Sequence, residues 1–250
     1  MQIVRMAESD TIKGRGRKGQ PESDSCAAKM AGAACGLAVD IGTTTVVMGL
    51  YDLDSGEKLA GLQEKNSQTL LGADVMMRLM HCQRGSQHTL EQRIREQIQN
   101  MAEQLCDGFC ALEQIKTIAV VGNTTMCHIF LGQDTSGLAG SPFRPAYRGI
   151  YRCKGSDIDL QEMKDTDVIV PAGIDAHVGA DAVSMICALQ LPETKETILA
   201  VDIGTNAEIA LSCKGEISVC SAPAGPAFEG AQISQGMRGE PGAIAGMHIA

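Results

Sequence analysis

The chain has 250 residues, enough for one large or two modest domains, and 44% of them are hydrophobic while 3% are aromatic and none is Trp. Its core is therefore aliphatic. A formal charge of −9 argues against a general nucleic-acid binder, which needs a basic face, but not against a nucleotide pocket, where backbone amides and a metal supply the positive field.

Residues 1–35 read as a disordered tail or linker: "TIKGRGRKGQPESDS" is rich in Gly, Ser and charge and has no apolar period. Gly14, Gly16 and Gly19 spell G-x-G-x-x-G, but no strand precedes them and no helix pattern follows, so the dinucleotide reading fails. Order is expected from Gly36. Residues 37–41, 45–52 and 58–65 predict three strands joined at "GTT" and "DLDSGE". A short helix is expected over 73–82, its methionines facing the core. A longer one over 87–110 places Leu90, Ile94, Ile98, Met101 and Leu105 on one face. "KTIAVVGN" predicts a buried strand and "TTMCHIFLG" a helix closed by Gly132. Residues 133–166, with Pro142 and Pro145, read as surface loops holding at most a hairpin. "DVIVPAG" predicts a strand, "HVGADAVSMICALQL" a helix, and "TILAVDIGTNAEIALSCKGEISVCSA" three more strands. A Gly/Pro loop from Pro223 is expected to feed a further helix.

The ten cysteines form no C-x-x-C pair. Cys106 and Cys110, i,i+4 on the expected helix, have a spacing that suits a metal but no third ligand at motif spacing, and the set reads as buried, reduced thiols. Scattered cysteines without a secretory signal predict a cytoplasmic protein. No run approaches the roughly 18 apolar residues of a membrane span, so no membrane partner is expected.

Two segments share one grammar: Asp40-Ile-Gly-Thr-Thr and Asp202-Ile-Gly-Thr-Asn, each ending the first strand of a three-strand set. An aspartate at a strand end is held by rigid backbone and suits a hydrated Mg²⁺, which prefers oxygen ligands. The glycine after it lets backbone and phosphate approach, and successive amides and Thr hydroxyls offer donors. Two such hairpins suggest two lobes gripping one phosphate chain with a metal between.

These hairpins resemble the phosphate motifs of the actin, sugar kinase and heat-shock chaperone ATPases. A closer resemblance is to the reductive activators of corrinoid proteins. It is carried by "GLAVDIGTTTV", "GADVMMRL", "VVGNTTMCHIFLG", "SPFRP", "VGADAVSMI", "VDIGTNAEIAL" and "AGPAFEGAQISQGMRGEPGAI", from about Gly36 to Ile244. The resemblance implies an α/β fold: an actin-like, ribonuclease H-like lobe over 36–192, then the start of a truncated second lobe over 193–250. It implies ATP and Mg²⁺ as cofactors, and ATP hydrolysis that helps return a Co(II) corrinoid protein, the expected partner, to Co(I) for methyl transfer. Full-length members carry an N-terminal [2Fe–2S] domain; its C-x₄-C-x₂-C spacing is absent here, so this cofactor is expected only in a full-length relative, and this chain either lost that domain or is a fragment, expected to be weak or inactive as an ATPase by itself. A homodimer stays open. The sequence departs from the family's pattern at Ala207, where Gly is usual, and at His177, where an aromatic is more typical.

On this resemblance Asp40, Gly42, Thr43, Thr44, Asp202, Gly204, Thr205 and Asn206 are the nucleotide-binding candidates, with Asp40 and Asp202 organising the metal. Asn123 and Thr124 are the catalytic candidates. Kinases of the superfamily place a carboxylate near this turn; an amide can orient a water but takes no proton. A Thr N-cap is the other reading of the same turn. Glu208 and Glu229 are second-sphere acids or strand-edge carboxylates, and Asp74 and Asp181 read as helix-start charges. A small-molecule kinase and a non-catalytic interaction fragment are the alternative functions.

Overall fold

The computed structural model describes residues 2–3, 34–204 and 206–223. The seven-residue strand at Cys35–Ile41 is the centre of a six-stranded sheet. In chain order the strands are β1 (Gln2–Ile3), β2 (Cys35–Ile41), β3 (Thr45–Asp52), β4 (Lys58–Lys65), β5 (Ile115–Gly122), β6 (Tyr151–Lys154), β7 (Asp167–Val170), β8 (Ile198–Ile203), β9 (Asn206–Cys213) and β10 (Glu216–Pro223). The large sheet runs β4-β3-β2-β5-β7-β6. The antiparallel β2-β3-β4 meander is followed by parallel β5 and β7, which is the ribonuclease H-like order of an actin-like lobe. The second sheet runs β1-β8-β9-β10, and its β8-β9-β10 meander repeats the opening of the first.

Among the described residues four α-helices accompany the sheets: α1 (Val75–His81), α2 (Gln87–Cys106), α3 (Thr124–Leu131) and α4 (Ala180–Ala188). On α2 the predicted apolar stripe is buried in full, from Leu90 to Leu105. α3 is buried on every side, because it fills the space between the large sheet and α2. Central strands β2 and β5 contribute Leu37, Val39, Ile41, Ile118 and Val120 to the same aliphatic core. α4 serves two cores: Ala180 joins the large one, while Ile186 packs with Leu191, Ala200 and Ala210 under the second sheet.

Several expectations are corrected. The first helix begins at Val75, because Asp74 Oδ1 accepts from the Met77 amide at 2.8 Å and caps it there. A π-helical turn over Cys82–Ser86 joins it to α2, with Gly85 at φ 87° absorbing the kink. α2 stops at Cys106, four residues early, because Gly108 turns left-handed at φ 80°, so Cys110 lies beyond the helix. The methionines of α1 do not face the core: Met76, Met77 and Met80 are exposed. Tyr151–Lys154 forms no hairpin within 133–166; it pairs antiparallel with β7 as an edge strand. Within the segment read as a tail, Gln2–Ile3 pairs in parallel with Ile198–Leu199. The G-x-G-x-x-G run, the loop from Ala224 on, Glu229 and Thr205 lie outside the described residues. None of the nine described cysteines is in a disulfide. No helix among the described residues is long and apolar enough to cross a membrane.

Candidate functional site

The site forms where strand ends and helix starts meet. β2 and β5 run parallel as neighbours, so Asp40 and Ile41 stand beside Val121 and Gly122 at their carboxyl ends. In open α/β sheets this edge is where ligands bind. α3 starts at once after β5. Gly179, which opens α4, lies directly against the Gly122–Thr124 backbone. β8 brings Asp202 to the same region from the second sheet.

Four carboxylates face each other there. Asp40 is open to the cleft on one side and surrounded by protein elsewhere. That desolvation, reinforced by Asp181 and then Asp202, raises its pKa to about 6. Asp181 is raised by burial and, more weakly, by Asp202, while the Ala182 amide, 2.7 Å from its Oδ1, holds it back. Glu208 is pushed up to about 7, by burial first and Asp181 next. It stands directly across the ladder from Asp202 on one side and Ser221 on the other, and the Ser221 hydroxyl donates to Glu208 Oε1 at 3.3 Å. Directly opposed like charges destabilise a sheet, which the raised Glu208 relieves by holding a proton.

The first turn, Gly42 to Thr44, is held from behind. Gly42 O accepts from Asn66 Nδ2 at 2.8 Å, Thr43 O accepts from the Arg78 guanidinium, and Thr44 O accepts from the Asn66 amide at 2.8 Å. The amides of Thr43 and Thr44 meet no acceptor among the described residues. Thr43 is buried and its hydroxyl accepts from Asn123 Nδ2 at 3.2 Å, whereas Thr44 is exposed to the cleft. A side chain at position 42 would meet Thr45 O at 2.6 Å, so the turn needs its glycine. The second turn is one residue shorter: Ile203 pairs with Ala207, where Ile41 pairs with Val46. Gly204 closes it by donating to Asn206 O at 2.8 Å.

Asn123 and Thr124 sit at the centre but are occupied. Asn123 is the N-cap of α3: its Oδ1 accepts from the Met126 amide at 3.0 Å while its Nδ2 reaches Thr43. The Thr124 hydroxyl donates to Asp175 O at 2.7 Å. Asn123→Ala removes both the cap and the tie to the first turn. It should cost about 1–2 kcal/mol and lower Tm by roughly 3–6 °C, read by thermal denaturation; an unchanged Tm would show the cap to be idle. His128 also has a structural occupation. Its Nδ1 lies 2.7 Å from Thr124 O, its Nε2 accepts from the Ala146 amide at 3.1 Å, and burial lowers its pKa.

Sequence reasoning singled out Asp40 and Asp202 but read Asp181 as a helix-start charge and left Glu208 between two roles. It assigned nothing to Asn66 or Arg78. The recurring "GAD" segment was the available signal for Asp181. For Arg78 and Asn66 there was none, because what ties them to the first turn is a pair of backbone carbonyls more than 20 positions away.

Among the described residues no group of three or more His, Cys, Asp or Glu stands close enough to grip a metal ion directly. Acids that offer only oxygen and do not close on one point suit a hydrated Mg²⁺ reached through its waters.

Residues 35–194 match the RACo middle region, and residues 196–250 match the C-terminal domain of RACo, the ASKHA domain, which implies ATP binding. The corrinoid activation enzyme RamQ of Eubacterium limosum is 36% identical over 213 residues, covering 84% of this chain and 35% of RamQ. The [Co(II) methylated amine-specific corrinoid protein] reductase of Methanosarcina barkeri is 31% identical over 218 residues, 84% of this chain and 40% of the reductase. Among solved structures, a reductive activator for corrinoid, iron–sulfur protein superposes with a TM-score of 0.77 at 34% identity, over 85% of this chain and 34% of that one. The chain thus spans 35–40% of the length of these curated relatives. With its middle-region match reaching from β2 through α4, the chain belongs to the RACo family.

Proposed function

We propose that this chain is the nucleotide-binding part of an ATP-dependent reductive activator, and that its site takes Mg-ATP between the two aspartate turns. The observation that supports this most is the convergence of Asp40, Asp202 and Glu208 from the two sheets and Asp181 from α4 beside the first turn, whose amides meet no acceptor among the described residues. The Thr43 and Thr44 amides and the Thr44 hydroxyl receive phosphate oxygens. Asp40 and Asp202 hold the waters of a Mg²⁺ ion, which when bound neutralises phosphate charge. Asp181 and Glu208 complete the acidic wall. Asn123 sets the position of Thr43 and of the start of α3. With Asn123 and Thr124 occupied and no carboxylate in their turn, transfer to an acceptor hydroxyl lacks a base here, which favours slow hydrolysis used as a conformational switch. The partner is a corrinoid protein, returned from Co(II) to Co(I) with an electron from an iron–sulfur donor.

The raised acids give the reading a pH signature. Asp40, at about 6, and Glu208, at about 7, hold protons in the free protein that a cation displaces. Mg-ATP binding should therefore release protons near pH 6.5 and tighten as pH rises from 6 to 8. Calorimetry in buffers of differing ionisation enthalpy measures both. Affinity and proton count that stay flat across this window would remove these acids from the site, and no binding at all would remove the site.

A further inference from the structure

Arg78 lies on α1, wholly buried, with no carboxylate within hydrogen-bonding reach among the described residues. Its Nε donates to Gly72 O at 3.0 Å and its Nη1 to Gln68 Oε1 at 3.0 Å. Nη1 also lies 2.9 Å from Met126 Sδ, and Nη2 donates to Thr43 O. Burial lowers its pKa to about 10, so it stays charged at neutral pH. A buried cation without a hydrogen-bonded counter-charge is costly and is kept only where something offsets it. The Asp74 carboxylate at the start of the same helix offsets part of that cost, but its oxygen is committed to the Met77 amide and makes no hydrogen bond to Arg78.

The arrangement around the first turn indicates what else does. Arg78 and Asn66 draw three successive carbonyls, those of Gly42, Thr43 and Thr44, to one side. In a planar peptide the carbonyl and the following N–H point in opposite directions. Holding the Gly42 and Thr43 carbonyls back therefore turns the Thr43 and Thr44 amides forward, towards the cleft. Successive amides so presented form an anion-binding concavity, and a fixed positive charge behind it strengthens its field.

We propose that Arg78 is a positioning residue for polyphosphate: from behind the Gly42–Thr44 turn it sets the amides that receive the phosphate, without touching it. This rests on the phosphate reading of that turn. The planar fork is essential, since a lysine ammonium cannot serve Gly72, Gln68 and Thr43 in those fixed directions.

The test uses the full chain and Mg-tripolyphosphate, which probes the phosphate turns without an adenosine pocket, followed by ³¹P NMR titration. Arg78→Met should weaken binding by about 10- to 100-fold, the range for groups that orient a ligand's direct contacts. Arg78→Lys keeps the charge and should recover most of the melting temperature but not the affinity. A merely structural arginine would have affinity follow melting temperature across the two variants. Either folded variant binding as tightly as wild type overturns the inference, and if Arg78→Met does not fold, Arg78→Lys decides it alone. Wild type failing to bind sinks the phosphate reading itself and the inference with it, an outcome visible before any variant is made.

Discussion

Asp40→Ala should weaken Mg-ATP binding by about 100-fold while leaving the chain at least as stable as wild type at pH 8. The first half follows from geometry: Asp40 stands at the rigid end of β2, beside amides that meet no acceptor among the described residues, and removing one of the two anchors for the hydrated cation forfeits a charge-assisted contact. The second half follows from the sign of its titration. A carboxyl whose folded pKa is raised to about 6 favours the folded state when protonated; above pH 6 it must be charged among Asp181 and Asp202, and folding bears the strain. Deleting it lifts that strain at pH 8. The opposed signs separate lost binding from lost folding. Calorimetry and thermal melts on one preparation read both, with Glu113→Ala as the control, since Glu113 is exposed just before β5, at the end of that strand away from the site. Unchanged affinity in Asp40→Ala would move the metal elsewhere.

Gly179→Ala should destabilise the chain by roughly 3 kcal/mol and lower Tm by roughly 6–12 °C. A Cβ at Gly179 would stand 2.6 Å from Thr124 N, 2.7 Å from Asn123 Cα and 2.7 Å from Gly122 O. All three are backbone atoms at the end of β5 and the start of α3, so no side chain can swing away. The start of α4 must shift, taking Asp181 with it, and Mg-ATP affinity should fall along with stability. Gly173 is the control: a Cβ there meets nothing closer than 3.7 Å, and Gly173→Ala should stay within about 0.5 kcal/mol. Equal melting temperatures for the two variants would mean that α4 slides freely over the turn.

The elements most legible in the sequence were those whose pattern is local. β2, β3 and β4 lie where alternation and turn residues place them, and the buried stripe of α2 repeats every three or four residues. The two aspartate turns were legible because the grammar occurs twice. Boundaries were less so: the first helix starts at Val75 because Asp74 is committed as its cap, and α2 stops because Gly108 reverses the backbone. The methionines of α1 were misread because a short apolar run does not say which face will be covered; the buried side of that helix is given to Arg78 and Leu79. β6 was missed because four residues of mixed character become a strand only when β7 offers an edge.

The sequence by itself determined the chain's class, its aliphatic core, its paired Asp-Ile-Gly-Thr turns and the family resemblance, since each depends on residue type and spacing along the chain. Tertiary structure decided which polar groups share a site. Asp181 and Glu208 became members of the acidic wall only when α4 and β9 were brought beside β2 and β8, and each then shifts in pKa because burial and its neighbours penalise a charge that water would have screened. Asn66 and Arg78 gained their roles in the same way, through carbonyls 24 and 35 positions away. A backbone acceptor has no residue signature, so a hydrogen bond to it leaves no trace in sequence; only the folded chain shows which arginine stands behind which turn.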